Sequence, residues 1–247
     1  MIEFRNVSKN FGEQNVLDKL NLVVEEGKIT AIMGPSGAGK SVTLKLLMGL
    51  LKPDEGQIFV HGSDICALAD DELASLRKKF GMLFQDAALF DYMNVFENVS
   101  FPLYEHTKLS DEEIEKRVEA SLNEVGLENV NQKLPNELSG GMRKRVGLAR
   151  AIILEPPIVL FDEPTTGLDP IITSQIGDLI LETHAKRNNT FLMISHDLAL
   201  SYRVAHKIAM LYKGQIVEFA SPKELKYSTH PFVREYLQAQ LNLEGSR

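Results

Sequence analysis

Three short segments of this sequence bring together residue types suited to work on phosphate. The first is Gly34-Pro35-Ser36-Gly37-Ala38-Gly39-Lys40-Ser41, a full match to the glycine-lined turn that cradles phosphates at the start of a helix. Its glycines let the backbone curl so that successive amides face an anion. The helix that follows, entered through Val42, adds about half an elementary positive charge at its N-terminus. Lys40 supplies a cation for β- and γ-phosphates, and the Ser41 hydroxyl supplies a hard oxygen for Mg²⁺. The second segment, Ile158-Val159-Leu160-Phe161-Asp162-Glu163, is an apolar run that delivers two carboxylates at its C-terminal end, where α/β sheets bind ligands. Asp162 suits a magnesium-holding acid, and Glu163 is placed to orient or deprotonate an attacking water. The third, Leu138-Ser139-Gly140-Gly141-Met142, opens a helical run and offers a second anion-binding helix N-terminus. An acid pair after a core strand, or a Ser-Gly-Gly turn, carries little meaning alone. Their joint presence behind the phosphate loop selects the chemical reading.

The elements needed to position these residues are visible in the apolar pattern. Thr30 to Met33 is an apolar run, and Val42 to Leu51 is helical in period, so the phosphate loop sits in a strand–turn–helix unit. Ile2-Glu3-Phe4 begins a strand, Leu20 to Val24 is another, and Gly56 to Val60 adds a strand of a hairpin. From Asp70 to about Ala151 the helical period dominates. Within it Ser110 and Glu113 form a capping box, Ile114, Val118, Leu122 and Val125 recur at helical spacing, and Gly126 suits the stop. This stretch reads as a helical subdomain inserted into an α/β core. Ile158 to Phe161 and Phe191 to Ile194 are too short for helices and continuously apolar, as buried parallel strands are. Lys207 to Phe219 reads as a hairpin turning at Lys213-Gly214, and His230 to Leu241 places Phe232, Val233, Tyr236, Leu237 and Leu241 on one helical face.

The formal net charge is -7, which disfavours a phosphate backbone as the main partner, since non-specific binding to nucleic acid needs basic clusters. A single cysteine, Cys66, excludes an intrachain disulfide and points to a reducing compartment. The N-terminal residues are charged from Glu3 and form no apolar leader, and no run approaches the length of a membrane helix. The expectation is a cytoplasmic polypeptide whose link to any membrane passes through partners.

Together the motifs make the chain resemble the ABC transporter ATP-binding subunits, with the segment through Arg150-Ala151 matching the family signature. The resemblance implies a P-loop NTPase (RecA-like) core with an N-terminal antiparallel β subdomain and an inserted α-helical subdomain. It puts one ATPase domain over 1–240, the helical insertion near 82–151, and a C-terminal helix and tail over 230–247. It also gives roles to further residues: Gln85 as the Q-loop residue contacting Mg²⁺, Asp169 in the D-loop, and His196 as the switch histidine at the γ-phosphate. Phe11 falls where the family puts an aromatic against adenine; a buried core phenylalanine is the rival reading.

In that family the phosphate loop of one subunit and the signature of another embrace one ATP, so the resemblance implies a head-to-tail homodimer beneath an integral membrane permease. The wording after Gln85, Asp86-Ala87-Ala88-Leu89-Phe90-Asp91, together with Met142, is similar to the Mla-type ATPases. Those drive phospholipid movement between the two membranes of Gram-negative bacteria, at the cytoplasmic face of the inner membrane, with an MCE-domain substrate-binding protein and a STAS-domain subunit. An importer or exporter ATPase for another cargo is the alternative. A non-transport ABC ATPase acting on nucleic acid or ribosomes is a further one, disfavoured by the single ATPase half. The tail helix serves either a partner contact or the cover of its own domain.

Overall fold

Continuous apolar runs become strands and periodic runs become helices in the computed structural model, which describes the backbone of 1–244 and the side chains of 1–239. The chain divides into two units, one formed by Met1–Arg77 with the chain from Thr190 onward, the other by Lys78–Asn189.

In the first unit β1 (Ile2–Phe11) and β2 (Gln14–Val24) pair antiparallel from Ile2↔Val24 to Phe11↔Gln14. β1 also pairs with β4 (Glu55–Val60), which folds back into β5 (Ser63–Asp64), giving the order β2-β1-β4-β5. Leu20, Leu22 and Val24 are buried while Asn21 and Val23 are exposed, the alternation of a sheet with one covered face. The sequence reading opened this strand at Leu20; it opens at Gln14, because the polar residues there are carried by pairing with β1 rather than by burial.

A second sheet of this unit surrounds β3 (Ile29–Met33), with parallel partners β8 (Thr190–Ile194) and β9 (Lys207–Tyr212) on its two sides. β10 (Gln215–Ala220) returns antiparallel to β9 through the expected turn at Lys213-Gly214. Every residue of β3 and β8 is buried, which is why neither shows alternation. α1 (Lys40–Leu47) buries Leu44, Leu46 and Leu47. α2 (Asp70–Arg77), α7 (Leu198–Val204), α8 (Pro222–Leu225) and α9 (Pro231–Glu244) complete the unit. On α9, Val233 and Leu237 are buried and the Phe232 ring stacks on Tyr212 with centroids 3.8 Å apart, so the helix covers its own unit. The Leu241 side chain and residues 245–247 lie outside the described residues.

The second unit holds β6 (Phe80–Leu83) parallel to β7 (Ile158–Asp162), with α3 (Val95–His106), α4 (Asp111–Glu124), α5 (Gly140–Ile152) and α6 (Pro170–Arg187). β6 is a strand that the sequence reading did not mark within residues 70–151, where the helical period dominates. Four residues with a glycine among them carry too little apolar signal to stand out between helices. Gly81 is there because α5 lies directly on the strand: a Cβ at Gly81 would sit 2.1 Å from the Ala151 carbonyl oxygen. Gly147 meets the same packing from the helix side, where a Cβ would lie 2.8 Å from Leu83 Cδ1 and 3.0 Å from Ala87 Cβ.

α4 begins at the predicted box, with the Glu113 amide donating to Ser110 Oγ (3.4 Å) and the Ser110 amide donating to Glu113 Oε2 (2.8 Å). It stops at Gly126, whose φ of 68° only a glycine adopts cheaply. Ser110→Ala should lower stability by about 1 kcal/mol, the usual value of such a cap. A urea titration would show this as a lower midpoint at unchanged slope.

Candidate functional site

The phosphate loop leaves the C-terminal end of buried β3 and enters α1. Gly34 lies against β9 so closely that a Cβ would come 2.2 Å from the Leu211 carbonyl oxygen. Pro35 and Ala38 close the bend, the Ala38 amide donating to the Pro35 carbonyl at 3.2 Å. Ser36 and Gly37 are exposed at its crest, and nothing approaches within 4 Å of a Cβ built on Gly37, whose φ is 77°. Gly39, at φ 103°, is the N-cap of α1 and offers its first-turn amides no side-chain acceptor. Lys40 is 8% exposed, and its Nζ donates to the carbonyls of Gly34 (2.9 Å) and Pro35 (3.0 Å), drawing the ammonium over the mouth of the turn. The Ser41 hydroxyl is exposed and Val42 is half-buried. A glycine-rich turn that opens a helix, with a lysine ammonium held against it, has the chemistry to receive an oxyanion.

Two more predicted residues belong to the same unit. His196 is exposed just beyond β8, on the short connection to α7; the Ser195 hydroxyl beneath it accepts from the Asp197 amide at 3.0 Å, and Asp197 caps α7. Phe11 is 47% exposed at the end of β1, with the Lys9 ammonium 5.7 Å from its ring centre. It is therefore an exposed residue and not part of the core. Asp54 holds Lys9 at 2.7 Å, and that contact keeps the Asp54 carboxyl below its ordinary range.

In the second unit, β7 carries Asp162 and Glu163 to its C-terminal end, both half-buried. Glu163 has φ 51°, a left-handed conformation costing a non-glycine residue about 1–3 kcal/mol. Three contacts oppose that cost: the Thr166 amide on its carbonyl (3.3 Å), the Thr166 hydroxyl on its Oε2 (3.2 Å) and Lys144 Nζ on its carbonyl (3.2 Å). A hydrogen bond from a charged donor contributes about 1.5–3 kcal/mol, enough to balance the strain.

Gln85 is exposed two residues past β6, and its carbonyl accepts from Lys144 Nζ. Ser139 is the N-cap of α5, its Oγ accepting from the Met142 amide at 3.3 Å, with Gly140 and Gly141 forming the first helical residues. Both are small for a packing reason as well: a Cβ at Gly141 would meet Ile172 Cγ2 at 2.7 Å, and one at Gly140 would meet Leu168 Cδ2 at 3.2 Å. Asp169 is engaged as the N-cap of α6, its Oδ1 accepting from the amides of Ile171 and Ile172 at 2.9 and 3.0 Å.

Sequence reasoning missed Lys144 and Thr166. Lys144 is 4% exposed; burial pushes its ammonium below the ordinary lysine range, while the Asp86, Glu163 and Asp162 carboxylates pull the other way. The donors assigned to magnesium are a hydroxyl (Ser41), a carboxylate (Asp162) and an amide oxygen (Gln85). All are hard oxygens, the donor type that Mg²⁺ takes and that nitrogen- or sulfur-loving metals do not favour.

Residues 17–166 match the ABC transporter family model. The chain is 42% identical over 239 residues to the probable ribonucleotide transport ATP-binding protein mkl of Mycobacterium leprae, covering 97% of this chain and 69% of that one. It is 41% identical over 237 residues to the intermembrane phospholipid transport system ATP-binding protein MlaF of Escherichia coli, covering 96% and 88%. Its fold is similar to that of the dimeric ATP-binding cassette MJ0796 bound to ADP and Pi in a post-hydrolysis state, with a TM-score of 0.82, 34% identity, and 90% and 99% of the two chains covered. A glycine-rich loop between strand and helix, a strand that presents two acids and a second glycine-opened helix thus lie in a chain whose residues 17–166 match the family model and whose relatives align along nearly its whole length, and this protein belongs to the ABC transporter family as an ATP-binding subunit that hydrolyses ATP to drive transport.

Proposed function

We propose that the chain is the motor of a phospholipid transporter, working as a head-to-tail homodimer on the cytoplasmic face of an inner membrane, beneath a permease. The observation that carries the dimer is the presence in one polypeptide of two different anion cradles, one at the Gly39-capped start of α1 and one at the Ser139-capped start of α5. Two copies facing oppositely would give each ATP one cradle of each kind. The cargo rests on the 41% identity to the E. coli phospholipid-system protein over most of both chains. In this reading an MCE-domain protein and a STAS-domain subunit complete the complex, and the ATPase domain spans 1–240 with the helical insertion near 82–151.

Magnesium ATP supplies the phosphoanhydride bond to be broken and a Lewis acid on its oxygens. The chain's own residues do the rest. Phe11 stacks on the base, and the amides from Gly34 to Val42 with the Lys40 ammonium bind the phosphates. Ser41, Asp162 and Gln85 would hold the ion that arrives with the nucleotide. Glu163 orients the attacking water and takes its proton, while His196 and the partner copy's signature amides bind the terminal phosphoryl oxygens. Little covalent help is required, because phosphoryl transfer is accelerated mainly by positioning and charge.

The mkl name favours a second reading, transport of ribonucleotides. Purifying the chain with its permease from membranes in mild detergent, and identifying what the assembly retains, decides between them. Phospholipid in stoichiometric amount is expected. Retained nucleotide other than the motor's own ATP and ADP, with no bound lipid, would replace the lipid reading.

A further inference from the structure

We infer that Lys144 is a positioning residue: from the body of α5 it pins the segments that carry Gln85 and Glu163, so that the rate of hydrolysis depends on it more than nucleotide affinity does. The inference rests on Glu163 being the water-activating acid.

The basic run Arg143-Lys144-Arg145 suggests a solvated face, but neighbours on a helix point about 100° apart, and here each goes to a different partner. Arg143 donates to the Leu138 carbonyl at 2.7 Å, and Arg145 to the Val125 carbonyl at 2.8 Å and Gln175 Oε1 at 3.1 Å. Lys144 turns inward and donates to the carbonyls of Gln85 and Glu163.

Burying a lysine sacrifices hydration and rotamer freedom, so the site persists only because strong acceptors await the ammonium. Its three donors let it hold both carbonyls together. Both segments it grips need holding. Glu163 is left-handed at φ 51°, and Gln85 is followed by Ala87 and Ala88 at φ 60° and 46°. Such conformations in non-glycine residues last only where their surroundings fix them. Arg150, further along α5, grips the Ala87 carbonyl at 2.6 Å and Asn98 Oδ1 at 3.4 Å. The loop after Gln85 is thus tied to α5 twice, and Lys144 extends the tie to the acid.

Lys144→Met removes the ammonium and keeps the aliphatic stem; Lys144→Arg keeps donors. In the full-length protein, the Met variant should lose about 10- to 100-fold in kcat, the usual result of misplacing a reacting group. Its MgATP affinity should stay within about twofold. Amide hydrogen exchange in the nucleotide-free protein should quicken in peptides covering Gln85 and Glu163 and not in α5 itself. Lys144→Arg should recover most of the rate.

Unchanged kcat in a folded Met variant overturns the inference. So does a parallel loss of rate and affinity that arginine fails to rescue. If the Met variant does not fold, Lys144→Gln replaces it with the same expectations, and wild-type exchange in both peptides refutes the tie. Glu163→Gln run alongside separates the two ideas: normal turnover there removes the acid's role, while the exchange data still judge the tie. In the Glu163→Gln background, Lys144→Met should cost less rate than it does in the native background, what remains being its effect through Gln85, and a fully additive loss counts against action through Glu163.

Discussion

Glu163→Gln is expected to bind MgATP as the native chain does and to lose about 10²- to 10⁴-fold in turnover, the range spanned by general-base catalysis. The substitution preserves shape. It leaves an oxygen for the Thr166 hydroxyl, and the carbonyl contacts that hold the residue left-handed are main-chain and unchanged. What it removes is the ability to accept a proton from water. ATP should then persist between two copies, so a dimer stable to size-exclusion chromatography in MgATP is the accompanying result. Native turnover in this variant would take the acid's role from Glu163, and a strictly monomeric variant at saturating MgATP would sink the two-cradle dimer.

Lys40→Ala should act at the earlier step. It deletes a cation whose hydrogen bonds to phosphate oxygens are each of the charged kind, about 1.5–3 kcal/mol, so nucleotide affinity should fall about 10- to 150-fold. The same ammonium also grips the carbonyls of Gly34 and Pro35, so the loop loses an internal brace with it. Calorimetric titration with MgATP measures the loss directly. Affinity equal to the native chain's would refute the assignment.

How much of this could be read from the sequence depended on where each signal lies. The phosphate loop, the acid strand and the signature turn are contiguous, and their chemistry is local, so residue types alone placed Gly34 to Ser41, Asp162 and Ser139 correctly on turn, strand end and helix cap. The buried strands β3, β7 and β8 were visible because burial on both faces leaves an unbroken apolar run. β6 was not, since Phe80-Gly81-Met82-Leu83 earns its strand from pairing with β7, a partner far along the chain. Lys144 was hidden for a related reason: its two acceptors are main-chain carbonyls 59 and 19 residues away, and carbonyls have no letter in a sequence. Asp169 adds something its letter did not announce: besides the nucleotide contact that the resemblance implies, its carboxylate caps α6.

The glycines where α5 meets β6 have a mechanical consequence. At Gly81 the strand backbone faces the Ala151 carbonyl without a side chain between them, and Gly147 lets Leu83 and Ala87 rest on the helix axis. Rotamer changes are the usual means by which packed elements absorb small shifts, and this seam has few to offer. Strand and helix therefore behave as a keyed joint without backlash. Interiors packed this closely have low compressibility and transmit strain, so a load on the residues just past β6 would pass into α5 with little taken up by side chains between them.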